Sequence, residues 1–123
     1  MIPYWLTAAL QSGISAIQRK VFTLNGIFIP AHINRPANGL FAQLGFIPPD
    51  LQFDALEFTG QTTATAIRAA YHLTPELSLI SNSDAHFPEQ IGANHSVFRM
   101  NDCSFAEIHK ALRQQEGRSV HTK

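Results

Sequence analysis

The chain is poor in charge, in cysteine and in long hydrophobic runs, and each shortage excludes a class of protein. Only 15% of its 123 residues are charged, and nine basic residues balance nine acidic ones. A neutral chain has no broad electrostatic field, so nucleic acid is predicted to be an improbable main partner. The single cysteine, Cys103, excludes an internal disulfide and a multi-cysteine zinc site, and it favours a cytoplasmic location. No run of about 18 apolar residues exists, so no segment is predicted to span a membrane.

The spacing of apolar residues predicts alternating helices and strands. Helices are predicted over 11–24, 63–72 and 104–115, with a helical turn over 40–44, and strands over 27–31, 53–58, 77–82 and 95–100. This order predicts a single α/β domain over 1–123 with a mostly parallel sheet. Asn25-Gly26 is predicted to close the first helix, with Gly26 in the left-handed conformation. Residues 118–123 are predicted to be a frayed tail.

Two of the predicted strands end in residues that bind metals. The apolar run 26–31 leads into His32, and the third strand leads into Asp84-Ala85-His86. Side chains two residues apart on a strand point to the same side, so Asp84 and His86 are expected to reach one site. Parallel strands present their carboxyl ends at one edge, which would bring His32 to the same place. One carboxylate with imidazoles suits zinc, manganese or iron.

Other interpretations of these residues stay open. His32 can equally be a hydrogen-bonded structural residue, while Asp84 caps a loop and His86 lies at the surface. A different metal site, formed around one loop by Asp84, His86, Glu89 and His95, is a further hypothesis. His109 is predicted to be a surface residue of the last helix.

Four short segments, taken together, indicate a family. In order, they are Ile29-Pro30-Ala31-His32-Ile33-Asn34-Arg35-Pro36, Gln43-Leu44-Gly45-Phe46-Ile47-Pro48, Asp54-Ala55-Leu56-Glu57 and Ser83-Asp84-Ala85-His86. Their order and spacing resemble the C-terminal half of the PHP (polymerase and histidinol phosphatase) superfamily of metal-dependent phosphoesterases. The resemblance covers most of the chain, and its segments identify the family rather than a substrate.

The resemblance implies a fold, a metal centre and a substrate class. The fold would be a partial (β/α) barrel, equivalent to the C-terminal part of a distorted seven-stranded barrel. His32, Asp84 and His86 would bind divalent metal ions (Zn, Mn or Fe), and Arg35 would contact a phosphate group. Glu57 is assigned to supporting the site or the fold. The substrate would be a phosphorylated small molecule or a nucleotide.

The chain also departs from the family pattern. A complete PHP domain begins with a His-x-His strand, whereas no His precedes His32 here. The first hypothesis is therefore the C-terminal part of a phosphoesterase that is weakly active or inactive as an isolated chain. The alternative is a non-enzymatic binding or assembly module that completes its sheet by homo-oligomerisation or with an N-terminal partner chain. A further departure is Asn34, at a position where an acidic residue is common.

Overall fold

The computed structural model describes residues 10–123, which form a small mixed α/β domain. In chain order the elements are α1 (Ile14–Thr23), α2 (Leu40–Leu44), β1 (Leu56–Glu57), α3 (Ala64–Tyr71), β2 (Leu79–Ile80), a 3-10 turn (Pro88–Gln90), β3 (Ser96–Arg99), α4 (Phe105–Leu112) and β4 (Ser119–Thr122). β1 and β2 pair in parallel, whereas β3 and β4 pair antiparallel. Within this range, no helix is both long and apolar enough to cross a membrane.

The C-terminal tail differs from its prediction. Residues predicted to be frayed form β4, which runs back along β3 with Ser119 opposite Arg99 and Thr122 opposite Ser96. Arg118 anchors this return, because its guanidinium donates two hydrogen bonds to the Glu107 carboxylate on α4. The prediction of a mostly parallel sheet is therefore wrong for β3 and β4. The strands described form two separate sheets, not the continuous wall of a partial barrel.

A serine links the two sheets through hydrogen bonds. The Ser96 hydroxyl, at the start of β3, donates to the Ser81 carbonyl at 3.0 Å and accepts from the Ser81 N–H at 2.9 Å. Ser81 directly follows β2. This side chain therefore takes the place of a strand partner where the parallel sheet ends.

The first predicted strand, 27–31, lies beside β1 without forming a regular ladder. The N–H of Asp54 donates to the carbonyl of Phe28, and the N–H of Glu57 donates to the carbonyl of Pro30. A regular parallel ladder would next require residue 30 to donate a hydrogen bond. Proline has no N–H, so Pro30 interrupts the ladder. The segment is extended and in place, but it is held by fewer hydrogen bonds than a strand.

The end of α1 also differs from its prediction in detail. Asn25, with φ 54°, takes the left-handed conformation that was predicted for Gly26. Asparagine tolerates this conformation better than most residues. Gly26 is needed for a different reason, because a Cβ there would lie 2.8 Å from Cγ1 of Val21.

The core covers both faces of the parallel sheet. One cluster contains Leu56, Phe58 and Leu79 with Ile33 and Ile67, and the other contains Ala55, Ile80 and Leu112. Neighbouring residues on β1 and β2 thus fall into opposite clusters, as the period of two in a strand requires. Burial on both faces is typical of parallel strands in α/β domains.

The link between α4 and β4 predicts an acid-sensitive stability. Hydrogen bonds from Arg118 and from the N–H of Asn101 lower the pKa of Glu107 from 4.5 to about 2. Because the folded-state pKa is lowered, this contribution to stability is present above about pH 4.5 and is lost as the pH falls towards 2. Glu107→Gln is expected to flatten the loss of Tm between neutral pH and pH 3, measured by circular dichroism. Glu89→Gln, at an exposed glutamate, is the control, and equal acid slopes for wild type and Glu107→Gln would contradict the prediction.

Candidate functional site

The candidate site lies where two neighbouring segments of the parallel sheet end. His32 follows the extended segment beside β1, and Asp84 follows β2 by four residues. Both residues have positive φ angles, 51° for His32 and 48° for Asp84. Such angles are uncommon for residues other than glycine, and they turn the chain sharply away from the strand direction. Each side chain is therefore placed by a local turn rather than by the alternation of a strand.

Asp84 is the centre of the charged contacts. Its Oδ2 atom lies 2.7 Å from Nη2 of Arg35 and 3.7 Å from Nε2 of His32. The Asp84 side chain is about one-third exposed (32%), so the pair with Arg35 is partly solvated. The carboxylate thus already has a permanent cation beside it.

The other side of the imidazole faces a second carboxylate. Nδ1 of His32 lies 3.7 Å from Oε2 of Glu57, a separation too long for a hydrogen bond. Among the described residues, this Nδ1 is the one fully buried side-chain polar atom without a hydrogen-bond partner. The other oxygen of Glu57, Oε1, accepts from Nδ2 of Asn82 at 3.0 Å. His32 therefore lies between two carboxylates, one on each side of its ring.

His86 lies outside this group. Its side chain is exposed, and its backbone N–H donates to Oε1 of Gln90 at 2.8 Å. No hydrogen bond or ion pair in residues 10–123 joins it to His32 or Asp84. The reason is the left-handed backbone at Asp84, which breaks the extended path on which the two-residue spacing argument depends.

The donors present do not by themselves make a metal site. In the part of the chain that the structure describes, no group of three or more His, Cys, Asp or Glu side chains could hold a metal ion. Neither the three predicted ligands nor the hypothetical loop cluster with Glu89 and His95 forms one. His32 and Asp84 have suitable chemistry, but a stable zinc site needs three or four ligands. Arg35 also neutralises Asp84, one of the two carboxylates that face the imidazole.

Asn34 has a positioning role that its sequence position did not reveal. Its Oδ1 accepts from the N–H of Thr59 at 2.9 Å, and its Nδ2 donates to the carbonyl of Thr59 at 2.8 Å. A carboxylate at this position would lose the donor. The amide therefore fixes the turn that carries His32 and Arg35 against the residues that follow β1.

A second polar cluster lies away from this edge and connects the C-terminal helix to the sheet. The fully buried side chain of Asp54 accepts from the N–H of Phe28, from Nε of Arg113 at 2.7 Å and contacts Nε2 of His109 at 3.0 Å. His109, predicted to be a surface residue, is 31% exposed, and its ring nevertheless reaches this buried carboxylate. Arg113 also lies over the ring of Phe22. These contacts join α1, α4 and the start of β1.

Comparison with known proteins gives the class to which this geometry is related. Residues 65–116 match the sequence model of a family described as PHP-associated. The matched segment runs from α3 past the end of α4 and includes Asp84 and His86. This match confirms the resemblance to the PHP superfamily that the four sequence segments indicated.

Individual relatives support the same relationship. The chain is 27% identical over 132 residues to the uncharacterized protein YqxK of Bacillus subtilis (strain 168), covering 94% of this chain and 34% of that protein. Its fold matches the crystal structure of the lesion-specific endonuclease PfuEndoQ from Pyrococcus furiosus with a TM-score of 0.70 and 26% identity, over 86% of this chain and 28% of that one. A structure of Endonuclease Q in complex with a 27-mer duplex substrate, with an abasic lesion at the active site, matches with a TM-score of 0.73 and 26% identity, over 89% and 29%.

These matches cover only part of each relative's length. The chain spans between 28% and 34% of the length of these relatives, so it is similar to one part of each. One of those relatives is a nuclease with DNA bound. That finding gives no support to the expectation from net charge that nucleic acid is an improbable partner.

Proposed function

We propose that the chain is the C-terminal part of a PHP-type metal-dependent phosphoesterase whose substrate is a phosphodiester of nucleic acid. The observation that carries this proposal is the approach of His32 to Asp84 at the carboxyl edge of the parallel sheet, with Nε2 and Oδ2 3.7 Å apart. The similarity to a lesion-specific endonuclease favours nucleic acid over a free phosphorylated metabolite. The chain alone is proposed to be weakly active or inactive, because the described residues supply too few metal ligands.

The residues have distinct proposed roles. His32 and Asp84 are metal ligands, and Glu57 orients the imidazole from its other side. His86 stays the proposed third ligand on the PHP resemblance, although its exposed side chain would have to turn towards Asp84 to reach the same ion; no side-chain hydrogen bond among the described residues holds it in place. Divalent zinc, manganese or iron suits this donor set. The remaining ligands come from an N-terminal segment or a partner chain.

Arg35 is the proposed phosphate contact. Its forked donors suit the oxygens of a phosphate group, and its side chain is 45% exposed at the edge of the site. In this structure the guanidinium pairs with Asp84 instead. Arg35 thus neutralises the Asp84 carboxylate in the absence of a metal ion.

Metal binding tests the assignment of Arg35 and Asp84. The isolated chain is expected to bind Mn²⁺ weakly, and Arg35→Gln is expected to strengthen that binding severalfold because it removes the cation that competes for Asp84. Asp84→Asn is expected to abolish the binding. Isothermal titration calorimetry with MnCl₂ measures both effects, with Arg19→Gln on α1 as the matched charge control. Unchanged affinity in both site variants would contradict the assignment.

Hydrolysis tests the activity. The isolated chain, supplied with Mn²⁺ or Zn²⁺, is expected to release no product above the metal-only rate from bis(p-nitrophenyl) phosphate or from a duplex with an abasic site. Joined to the part of the PfuEndoQ endonuclease that it does not match, it is expected to gain turnover that His32→Ala abolishes and His72→Ala keeps. Robust turnover by the chain alone would overturn the proposal that it is incomplete.

A second candidate, an assembly module, is favoured by exposed apolar side chains near the site. Phe87 and Ile91, in the loop after Asp84, are 65% and 75% exposed, and Phe46 is 59% exposed. Large exposed apolar patches mark interaction sites. Sedimentation velocity is expected to show association that Phe87→Ser with Ile91→Ser abolishes. A monomer at every concentration would contradict this candidate.

A further inference from the structure

A cavity at the same end of the parallel sheet has the chemistry of an anion site. It has a volume of about 200 Å³, and the residues that line it include Thr62, Thr63, Ser81, Thr122 and Lys123. Ser81 directly follows β2, and Thr62 and Thr63 lead into α3. None of these side chains belongs to the group around His32 and Asp84. The cavity is therefore a second polar site at the edge of the sheet.

Thr63, which lines the cavity, caps α3, and the first turn of this helix has free amide groups. The Thr63 side chain accepts from the N–H of Ala66, and the Thr63 carbonyl accepts from the N–H of Ile67. The N–H groups of Ala64 and Thr65 have no partner among the described residues. Unpaired N–H groups and the helix dipole make such a terminus attractive to anions.

Ser81 gives an independent indication of a ligand. The residue is only 3% exposed, and its hydroxyl makes no hydrogen bond within residues 10–123. Its backbone is held on both sides by Ser96, so the side chain cannot turn away with the main chain. The hydroxyl is not enclosed by protein either, because the only fully buried unpaired side-chain atom described is Nδ1 of His32. A hydroxyl that lines a cavity and has no protein partner is free to hydrogen-bond to a ligand held there.

The charge of the lining selects the ligand. Lys123 forms no ion pair in the described part of the chain, and the lining contains no acidic side chain. The Lys123 ammonium group and the hydroxyls of the lining, together with the amide N–H groups of the first turn of α3, offer hydrogen-bond donors to an anion. We propose that this cavity binds a phosphate group. The proposal requires neither a metal ion nor the hydrolytic activity, so its test is independent of the proposed function.

Phosphate titration tests the proposal on the intact chain. In ¹⁵N-edited NMR spectra, inorganic phosphate is expected to shift the amide signals of Ala64 and Thr65 in a saturable way. Ser81→Ala and Lys123→Gln are each expected to weaken binding roughly tenfold, the effect of losing one charge-assisted hydrogen bond. Lys20→Gln, which removes an exposed charge on α1, is the matched control. Because Lys123 is exposed, its variant tests the site even if Ser81→Ala lowers stability.

A competition experiment separates the two sources of a phosphate group. If a short DNA duplex shifts the same amide signals and displaces inorganic phosphate, the ligand is a backbone phosphate of nucleic acid. If inorganic phosphate binds and the duplex does not, the ligand is a free phosphate or a small phosphate ester. The absence of saturable shifts at Ala64 and Thr65, or equal weakening by Lys20→Gln, would overturn the proposal.

Discussion

Phe58→Ala is expected to lower the free energy of unfolding by about 3–5 kcal/mol, the range for removing a fully buried aromatic ring from a core. Phe58 is 1% exposed and follows β1 directly, where it packs in the same cluster as Leu56, Leu79 and Ile67. Its N–H donates to the carbonyl of Ile80, so the backbone cannot move inward freely to fill the space. The cavity left by the ring is therefore expected to persist.

Urea unfolding followed by circular dichroism measures this effect. Phe46→Ala is the matched control, because Phe46 is exposed and its loss is expected to change stability by no more than about 0.5 kcal/mol. Equal midpoints for the two variants would mean that the cluster around Phe58 does not hold the parallel strands together.

Asp54→Ala is expected to cost about 2–4 kcal/mol, since several donors lose one shared acceptor. The Asp54 side chain is fully buried and accepts from the N–H of Phe28, from Arg113 and, at 3.0 Å, contacts His109. Arg113 and His109 are partly exposed and can turn to water. The backbone N–H of Phe28 cannot turn to water in this way. Leaving it without an acceptor accounts for much of the expected loss of stability.

Two further variants define the cause of that loss. Asp54→Asn keeps the shape and one acceptor, so it is expected to be less destabilising than Asp54→Ala in the same urea unfolding measurement. Asp50→Ala, at an exposed acidic residue nearby in sequence, is expected to be almost neutral. If Asp50→Ala and Asp54→Ala had the same effect, the buried cluster would not be a source of stability.

Periodicity predicted the kinds of element well, and local rules predicted some of their ends. The helix predicted over 104–115 begins as expected, because Ser104 caps α4 and its side chain accepts from the N–H of Glu107. The position of α2 agrees with the predicted turn over 40–44. Strand lengths were overestimated, because apolar residues at 53–58 and 77–82 report burial on two faces rather than hydrogen bonding along the whole run.

What local sequence could not supply are contacts between distant residues. Arg113 reaches Asp54 across 59 positions, and no local pattern in the chain specifies that pair. The hydrogen bond from Arg118 to Glu107 holds β4 in place beside β3, and it too is a contact between separate elements that local sequence does not specify. The tail was predicted to be frayed because composition alone carries no information about such a partner.

In the candidate site, too, some features could be predicted from the sequence and others could not. The meeting of His32 with Asp84 follows from the parallel arrangement of the segments that carry them. The separation of His86 does not, because a single left-handed residue at Asp84 redirects the chain. Periodicity gives no sign of such a residue. Periodicity likewise could not predict the two hydrogen bonds between the Asn34 side chain and the Thr59 backbone.

The interruption at Pro30 has a consequence for how the domain opens. Local unfolding begins where few backbone hydrogen bonds and few cross-links hold a segment. The stretch from Phe28 to His32 is joined to its neighbour at separate points, whereas β1 and β2 are joined to each other directly. The amide protons of Ile29, Ala31 and His32, which have no hydrogen-bond partner among the described residues, should therefore exchange with solvent sooner than those of Leu56 and Phe58. His32 lies at the end of this stretch, so its position could change by local opening while β1 and β2 stay paired.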